Sequence, residues 1–405
     1  RERRPSYFVR TMYKLYPKLS MRTCDDMNND MWLTIPKADK EWNIKDSQIN
    51  LVQAAADALY GTDVRESVTR LEQFASCEFA HFLRYGLGLD ERDVYTISAS
   101  DTGSILHKSM ECISSEVIRS GMSFADMKDE QRHEIVGRVV DTVAAEYGNA
   151  VFKDSSRNEY MIEKVKELTQ RTVWAIGRQL EQEQFVPESF EVRFSLPMNE
   201  SVSKRKVELV GSIDRIDVCE DGDNIYIKII DYKTGNEKFS LYKTYYGLRI
   251  QLMTYMIAAM EHEKKLHPGK NIVPAGAFYY VVDDPIVDRQ DSREKVEKKI
   301  LAQLSYDGIV NGQMPQELMG SSADSIKGDK NITAGQFARL SEHITDTMDL
   351  MTDNMLNGNA YINPVADSGK DSCEYCPYRS VCGFYSDIPG NSYRRVRHLK
   401  DNEVW

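Results

Sequence analysis

The sequence predicts an α/β fold, because β-like runs are followed by a helical run and another β-like run. Two β-like runs, Val207 to Val218 and Asn224 to Tyr232, are separated by the polar turn 220–223, which is typical of a hairpin. Residues 243–264 then show a helical apolar stripe, and residues 274–283 have the composition of a further strand. Strands that pair around an intervening helix predict an α/β core.

The spacing of apolar residues predicts the other elements in chain order. A helix begins at Ser67, a suitable N-cap, and continues through SVTRLEQFASCEFAHFLRYGLGL, with Cys77 at the end of its apolar series. A second helix follows Gly103 and places His107 and Glu111 on one face. The remaining predictions are an amphipathic piece at 48–60, helices at 129–147 and 159–183, a strand at 190–196 and a mobile loop at 312–335.

Three charged residues of the hairpin lie in or beside its apolar face. Asp231 and Lys233 continue the period-2 face formed by three isoleucines of the second run. Asp214 lies inside the apolar first run, where a carboxylate needs a partner because an unpaired buried charge costs several kcal/mol. Two carboxylates on adjacent strands beside an ammonium predict a site for Mg²⁺ or Mn²⁺ that suits phosphodiester hydrolysis.

Other polar residues are candidates for the same site. His107 could present its imidazole to a cleft, although a hydrogen-bonded or partly exposed helix histidine is the commoner reason for such a residue. Glu191 is either a further metal-proximal acid or a solvated strand residue, and we favour the second interpretation slightly. Gln251 and Tyr255 share one edge of the helix predicted at 243–264.

The cysteines predict a metal site. Seven cysteines are an odd number, and their uneven spacing argues against a secreted disulfide framework. Cys373, Cys376 and Cys382 have the spacing C-x₂-C-x₅-C, which is typical of metal ligands, and Cys77 is the candidate for the fourth ligand. Four cysteines serve both Zn²⁺ and iron–sulfur clusters. Such a site would clasp the two ends of the domain, so we expect metal loss to loosen the fold.

Composition restricts the function classes. The net charge of −11 over 405 residues opposes strong binding to the phosphate backbone, and basic clusters at 1–4, 204–206 and 394–400 are more often solvated surface. We expect weak DNA binding by this chain alone. No GxxxxGK[ST] loop is present, so we expect no ATP-driven motor. The start lacks an initiator Met and a signal-peptide core, and we expect a cytoplasmic protein that is a piece of a longer one.

Seven motifs together resemble the RecB-type nuclease family, whose members belong to the PD-(D/E)xK superfamily. The resemblance covers about Ser67 to Phe384 and includes CEFAHFLRYGLGL, GSILH, GSIDRID, DYKTG, QLMTY, PAGAFYY and CEYCPYRSVC in the family's order. It implies a restriction-endonuclease-like core, with a central mixed sheet flanked by helices and clasped by a four-cysteine cluster. It also implies three parts: an N-terminal connecting extension at 1–66, the nuclease domain at 67–385 and a basic tail at 386–405.

The resemblance implies roles for particular residues. The catalytic Mg²⁺ or Mn²⁺ would be held by His107, Asp214, Asp231 and the backbone carbonyl of Tyr232. Lys233 would orient the attacking water or stabilise charge on the phosphoryl oxygens, and Gln251 and Tyr255 match the family's Q-x₃-Y element beside the active site. A [4Fe–4S] cluster would be ligated by Cys77, Cys373, Cys376 and Cys382. Glu78 departs from the family pattern, which usually has proline after the first cysteine.

The function implied is a metal-dependent deoxyribonuclease that processes DNA ends at double-strand breaks. Its partners would be DNA and an AddA-like helicase/nuclease subunit in an ATP-dependent helicase–nuclease complex. One alternative is a stand-alone RecB-like exonuclease of the CRISPR-associated or phage type. The other is a non-catalytic module that binds DNA ends, in which the hairpin acids and the cysteines are purely structural.

Overall fold

The computed structural model describes residues 14, 50–61, 63–90, 99–147, 156–198, 205–235, 238–282, 291–320, 331–367, 370–388, 391–399 and 404. The chain divides into two units, Arg1–Gln48 and Ile49–Trp405, and the elements named below all belong to the second. The predicted parts 1–66, 67–385 and 386–405 stay a prediction. The first helix and the first strand of the second unit begin before residue 67.

Helices account for much of the second unit. They are α1 (Gln53–Tyr60), α2 (Val68–Ser76), α3 (Glu78–His81), α4 (Ala99–Ser120), α5 (Asp129–Tyr147), α6 (Ser156–Leu180), α7 (Leu241–Tyr245), α8 (Gln251–Leu266), α9 (Arg293–Gln303), α10 (Gln316–Met319), α11 (Ala334–Leu356) and α12 (Arg379–Cys382). A π-helical turn, Phe82–Gly86, follows α3. None of these described helices is long and apolar enough to cross a membrane.

The strands form a central mixed sheet and a small second sheet. They are β1 (Asp63–Ser67), β2 (Val186–Pro197), β3 (Lys206–Asp221), β4 (Asn224–Lys233), β5 (Asn271–Val281), β6 (Tyr306–Asn311), β7 (Asn331–Ile332), β8 (Val365–Asp367), β9 (Lys370–Asp371) and β10 (Arg394–Arg395). In the central sheet β1, β3, β4, β5, β6 and β7 follow one another, and β2 pairs with β3. The predicted hairpin is therefore present as β3 and β4, which pair antiparallel.

Helices cover both faces of the central sheet, as the α/β prediction requires. Ile225, Ile227 and Ile229 of β4 pack into a core with apolar residues of α2, α8 and α11. Ile230 and Tyr232 pack into a second core with residues of α4, α5 and α6. Successive side chains of a strand point to opposite faces, so the two cores lie on opposite sides of the sheet.

Two helices that the sequence predicts as continuous are interrupted. The helix beginning at Ser67 stops at Ser76, because Cys77 has extended backbone angles (φ −165°, ψ 114°). The predicted helix 243–264 is instead α7 and α8. Gly247 lies between them with φ 77°, a conformation that glycine adopts without steric cost. Tertiary contacts to the residues after Gly247, described below, fix the start of α8.

Residues 312–335 were predicted as a mobile loop. This prediction was wrong for the described part, which contains α10, β7 and the start of α11. The start of α11 has a capping box, in which Thr333 and Gln336 bond to each other's backbone N–H groups. Residues 321–330 of the predicted loop lie outside the described residues.

Candidate active site

The hairpin strands separate at one point, and polar residues gather there. On one edge β3 pairs with β1 through residues 206–210 and with β4 through residues 215–221, so none of the described strands lies beside residues 211–214 on that edge. β4 continues past its last pair with β3, Arg215–Ile230, and places Asp231, Tyr232 and Lys233 at this fork. The backbone N–H of Tyr232 donates to Asp214 Oδ2 at 2.7 Å instead of to a β3 carbonyl. The fork thus orients the Asp214 carboxylate through the backbone of β4.

His107 and Glu191 approach Asp214 from two further elements. His107 Nδ1, on α4, lies 3.2 Å from Asp214 Oδ2. Glu191 lies on β2 between the pairs Phe190–Arg215 and Val192–Ile213, so it lies opposite Asp214 on the neighbouring strand. Ligand atoms of His107, Glu191 and Asp214 all lie within 4.8 Å of one another. These residues could hold a metal ion, which favours the interpretation of Glu191 as a metal-proximal acid over the solvated interpretation.

Asp231 and Lys233 lie on the other side of the fork and connect it to α8. Lys233 Nζ lies 2.6 Å from Asp231 Oδ2 and donates to Gln251 Oε1 at 2.8 Å. Gln251 Nε2 donates to the Tyr255 hydroxyl at 2.9 Å. The structure therefore brings together the hairpin acids, Lys233 and the two predicted residues of α8 in one chain of contacts.

Burial shapes the electrostatics of the fork. Asp231 is 2% exposed, and this burial, together with the nearby negative charge of Asp214, raises the pKa of Asp231 to about 7. Burial alone would lower the pKa of His107, but its hydrogen bond to Asp214 and the charge of Asp214 raise it overall. When both aspartates are ionised, they carry more negative charge than Lys233 alone neutralises. A bound cation would favour the ionised form of both aspartates.

Glu111, predicted on the same helix face as His107, does not join the fork. Its carboxylate lies 2.5 Å from Lys108 Nζ, one turn back on α4. Gly103 of the GSILH motif brings this helix close to the end of β4, since a Cβ there would lie 3.2 Å from Thr234 Oγ1.

The sequence prediction missed Glu72. This residue of α2 accepts hydrogen bonds through Oε1 from the backbone N–H groups of Ile250 (2.8 Å) and Gln251 (3.2 Å). These groups begin α8 and have no partner within the helix, so Glu72 caps α8 from another helix. Burial raises the pKa of Glu72 to about 6. No local pattern in the sequence indicates this cap, because 178 residues separate Glu72 from Ile250.

The four predicted cysteine ligands lie at the other end of α2 and line one cavity. Cys77, Cys373, Cys376 and Cys382 contribute to its wall, together with aromatic residues such as Phe79 and Tyr378. All four are free thiols. Burial raises the pKa of Cys77, while backbone hydrogen bonds from Ala80 and Asn363 oppose this rise by favouring the thiolate. The interruption after α2 turns Cys77 toward the three C-terminal cysteines.

Glu78, at the family's proline position, takes part in holding this region together. Its backbone N–H donates to Asn363 Oδ1 at 3.1 Å, and Asn363 Nδ2 donates back to Glu78 Oε1 at 2.8 Å. Arg394 also donates to the carbonyl of Ala75. The departure from the family pattern therefore leaves Cys77 tied to the C-terminal segment by direct hydrogen bonds.

Comparison with known proteins identifies the class to which this fold and site belong. Residues 65–383 match the family model described as the PD-(D/E)XK nuclease superfamily. The match covers most of the chain, and the chain belongs to this superfamily.

Two individual relatives show which nuclease proteins this chain is similar to. The chain is 35% identical over 381 residues to AddB of Lachnoclostridium phytofermentans, a subunit of its ATP-dependent helicase/deoxyribonuclease, covering 88% of this chain and 32% of the relative. It is 32% identical to the protein of the same name from Thermoanaerobacter sp. strain X514, covering 93% and 35%. The resemblance to a nuclease of the PD-(D/E)xK superfamily, which the seven sequence motifs predict, is thereby confirmed. The chain spans about a third of the length of these two relatives.

Proposed function

We propose that this chain is a Mg²⁺-dependent DNA exonuclease that processes the ends of double-strand breaks within a cytoplasmic helicase–nuclease complex. Membership of the nuclease superfamily and the names of the relatives support a DNA nuclease in such a complex. An AddA-like helicase/nuclease subunit would be the partner. It would also supply DNA affinity that a chain of net charge −11 lacks.

The observation that carries the proposal is the convergence at the fork of five polar residues from four separate elements. His107 comes from α4, Asp214 from β3, Asp231 and Lys233 from β4, and Gln251 from α8. A purely structural ion pair needs only two partners of opposite charge. Two carboxylates, an imidazole and an ammonium in one opening suit metal-dependent hydrolysis of a phosphodiester.

The donor set at the fork fits a divalent cation. His107, Asp214, Asp231 and the Tyr232 carbonyl would hold it, and Glu191 is close enough to His107 and Asp214 to act as a further ligand. When bound, the cation would lower the pKa of a coordinated water and neutralise charge that develops on the phosphoryl group. Mg²⁺ prefers such oxygen-rich sites, and Mn²⁺ also accepts an imidazole.

Lys233 would position the scissile phosphate. Asp231 and Gln251 hold its ammonium from two sides, while 23% of its side chain remains exposed to solvent. A phosphoryl oxygen can therefore approach Lys233 without displacing the backbone. Tyr255 fixes Gln251 through the hydrogen bond between them, so both residues of α8 would act as positioning residues.

The proposal is tested with substitutions at the fork and matched substitutions nearby. Lys233→Ala and Asp231→Ala are each expected to reduce Mg²⁺-dependent cleavage of linear DNA at least about a thousandfold, as expected for loss of a group that stabilises the transition state. Lys238→Ala and Asp221→Ala change exposed residues of the same types and should retain activity. Circular dichroism would verify folding. Cleavage that persists in both fork variants would exclude the fork as the catalytic site and favour the non-catalytic DNA-binding alternative.

Dependence on a partner separates the complex from the stand-alone exonuclease. We expect weak cleavage of an end-labelled duplex by this chain alone and strong stimulation when a helicase subunit of the AddA type is added with ATP. Equal activity with and without that subunit would favour the stand-alone alternative.

We also propose that Cys77, Cys373, Cys376 and Cys382 bind a [4Fe–4S] cluster. Their shared cavity and the backbone hydrogen bonds to Cys77 support this assignment, since N–H groups directed at sulfur stabilise a cluster's thiolate ligands. The cluster would connect the end of α2 to the C-terminal segment. Its chemistry would be structural, because nothing in the fork requires electron transfer.

The cluster assignment predicts a brown protein with about four iron atoms per chain when it is purified without oxygen. Cys376→Ser should lose the colour and unfold at a lower temperature, whereas Cys112→Ser, on α4, should retain both. A colourless anaerobic preparation containing one zinc per chain would contradict the assignment.

A further inference from the structure

A second group of metal-ligand side chains lies at the opposite end of α8 from the fork. Glu188 of β2 and Glu263 and His267 at the end of α8 place one ligand atom each within 4.8 Å of the others. His267 Nε2 lies 3.4 Å from Glu263 Oε2 and 3.5 Å from Glu188 Oε1. Residues 251 and 263 are about 18 Å apart along the helix axis, so this group is distinct from the fork.

The fold builds this group with an irregularity in β2. Pro187 pairs with Asp217 and Ser189 pairs with Ile216, so Glu188 is an extra residue in a β-bulge with no partner on β3. A bulge redirects the side chain of its extra residue, and here Glu188 meets the end of α8. His267 follows Glu263 by one helical turn, and its backbone N–H donates to the Glu263 carbonyl at 2.8 Å. Three ligands from two elements are thus held by backbone structure.

Among the residues that the structure describes, none forms a hydrogen bond that would compensate the burial of the Glu263 carboxyl group. Its side chain is completely buried, and neither of its oxygens has a hydrogen-bond partner there. The nearby Lys270 does not neutralise it, because its ammonium lies 2.8 Å from Glu220. A buried carboxyl group without a hydrogen bond costs free energy, and a cation would remove that cost.

We propose that Glu188, Glu263 and His267 bind a divalent transition-metal ion, with Zn²⁺ as the best-matched ion. Two carboxylates and one imidazole, with a water in the fourth position, form a mixed oxygen and nitrogen set of the kind that zinc accepts. Water can complete the coordination, because Glu188 and His267 are partly exposed. The partial negative charge at the C-terminus of α8 adds to the attraction.

The bound ion would fasten β2 to α8. β2 also carries Glu191, and α8 carries Gln251 and Tyr255, so the ion would fix two elements that contribute to the fork. Its role would be structural, and its detection does not depend on DNA cleavage.

The test measures the zinc content of the full chain, purified with its native metals. All variants also carry Asp214→Asn and Asp231→Asn, which remove metal binding at the fork. After equilibration with Zn²⁺ and removal of free metal, Glu263→Gln is expected to contain about one zinc fewer per chain than Glu261→Gln, a matched exposed residue of α8. His267→Asn should lose the same zinc. Zn²⁺ should also raise the unfolding temperature of Glu261→Gln but not that of Glu263→Gln.

Glu263→Gln removes a buried charge and should fold; if it does not, His267→Asn, at the partly exposed position, decides the result. Equal zinc contents in Glu261→Gln and His267→Asn would overturn the proposal. That result would indicate instead that the two carboxyl groups share a proton.

Discussion

The β3–β4 hairpin carries charged groups of two kinds, and the difference between them separates structure from chemistry. One kind is the fork, with Asp214, Asp231 and Lys233. The other is a sealed network in which Arg215 binds Asp217 through two hydrogen bonds of 2.5 and 2.6 Å. Lys228 lies on the face of β4 opposite to Asp231 and joins that network.

The sealed network is balanced. Lys228 Nζ lies 2.6 Å from Glu183 Oε1 and 3.2 Å from Asp217 Oδ2, and the side chains of all three are 0% exposed. With Arg215 it contains two cations and two anions. The fork has more carboxylates than cations and opens to solvent at His107 and Lys233. Charged groups that stabilise the fold are paired and buried. Charged groups available to a ligand are in excess of one sign and lie beside an opening to solvent.

Breaking the sealed network should have the largest effect on stability. Lys228→Met leaves Glu183 buried beside Asp217 without its ammonium, so we expect a loss of about 3–5 kcal/mol in the free energy of unfolding. Lys270→Met, which removes a partly exposed lysine paired with Glu220, should cause a much smaller loss, because exposed ion pairs contribute little to stability. Guanidinium unfolding measures both. Similar losses in the two variants would mean that the network's balance is not what stabilises the hairpin.

The fork should show coupling between metal and protons. Because Asp231 has a pKa of about 7 without metal, a cation must displace its proton below that pH. We expect Mg²⁺ or Mn²⁺ affinity to rise about tenfold per pH unit up to about pH 7 and then to level off. Calorimetric titrations at several pH values would measure this. An affinity that does not change between pH 6 and 8 would contradict the excess of negative charge at the fork.

The same pKa gives a prediction for stability. Between the ordinary aspartate pKa of 3.8 and about 7, the folded protein holds a proton on Asp231 that the unfolded chain has lost, so Asp231 reduces stability as pH rises through this range. Asp231→Asn should therefore stabilise the metal-free protein at pH 8, by at most about 4 kcal/mol, because each pKa unit corresponds to about 1.4 kcal/mol. Thermal unfolding at pH 5 and pH 8 would measure it, with Asp221→Asn as control.

Removing the cap on α8 should have an intermediate effect on cleavage. Glu72→Ala leaves the N–H groups of Ile250 and Gln251 without their acceptor, which costs about 1–2 kcal/mol for a lost cap. We expect about 5–20-fold slower cleavage, because Gln251 then positions Lys233 less well. Glu72→Gln keeps an acceptor oxygen and should recover most of the rate. Equal rates for the two variants would show that the cap does not act through Gln251.

The smallest effect is expected from backbone strain beside Asp214. Glu191 has φ 48°, the one positive φ of a non-glycine residue among those described. An L-residue costs about 1–2 kcal/mol in this conformation, so Glu191→Gly should be about 1 kcal/mol more stable than Glu191→Ala. Both variants should bind the fork metal more weakly. A more stable alanine variant would mean that the strain is not present in solution.

Local patterns in the sequence predicted part of this site well. The alternation along β4 placed Asp231 and Lys233 on one face, and helical spacing placed Gln251 beside Tyr255. The contribution of Glu72 could not be predicted, because it depends on the packing of α2 against α8. Glu191 was a candidate, but its two interpretations could not be separated, because its position depends on the register between β2 and β3. The start of α11 could have been predicted, since its capping box, Thr333 with Gln336, is a local sequence pattern.

The hydrogen bonds around Cys77 also bear on how the chain is made. Ser76 and Ser372 are 296 residues apart, and Glu78 and Asn363 are 285 residues apart. A ribosome adding about 5–20 residues per second needs roughly 15–60 s to pass from one partner to the other. The fork residues are all synthesised within that interval, so the catalytic groups emerge before the ends of the domain can close. A chain truncated before residue 363 should therefore present an open α2 to chaperones and proteases.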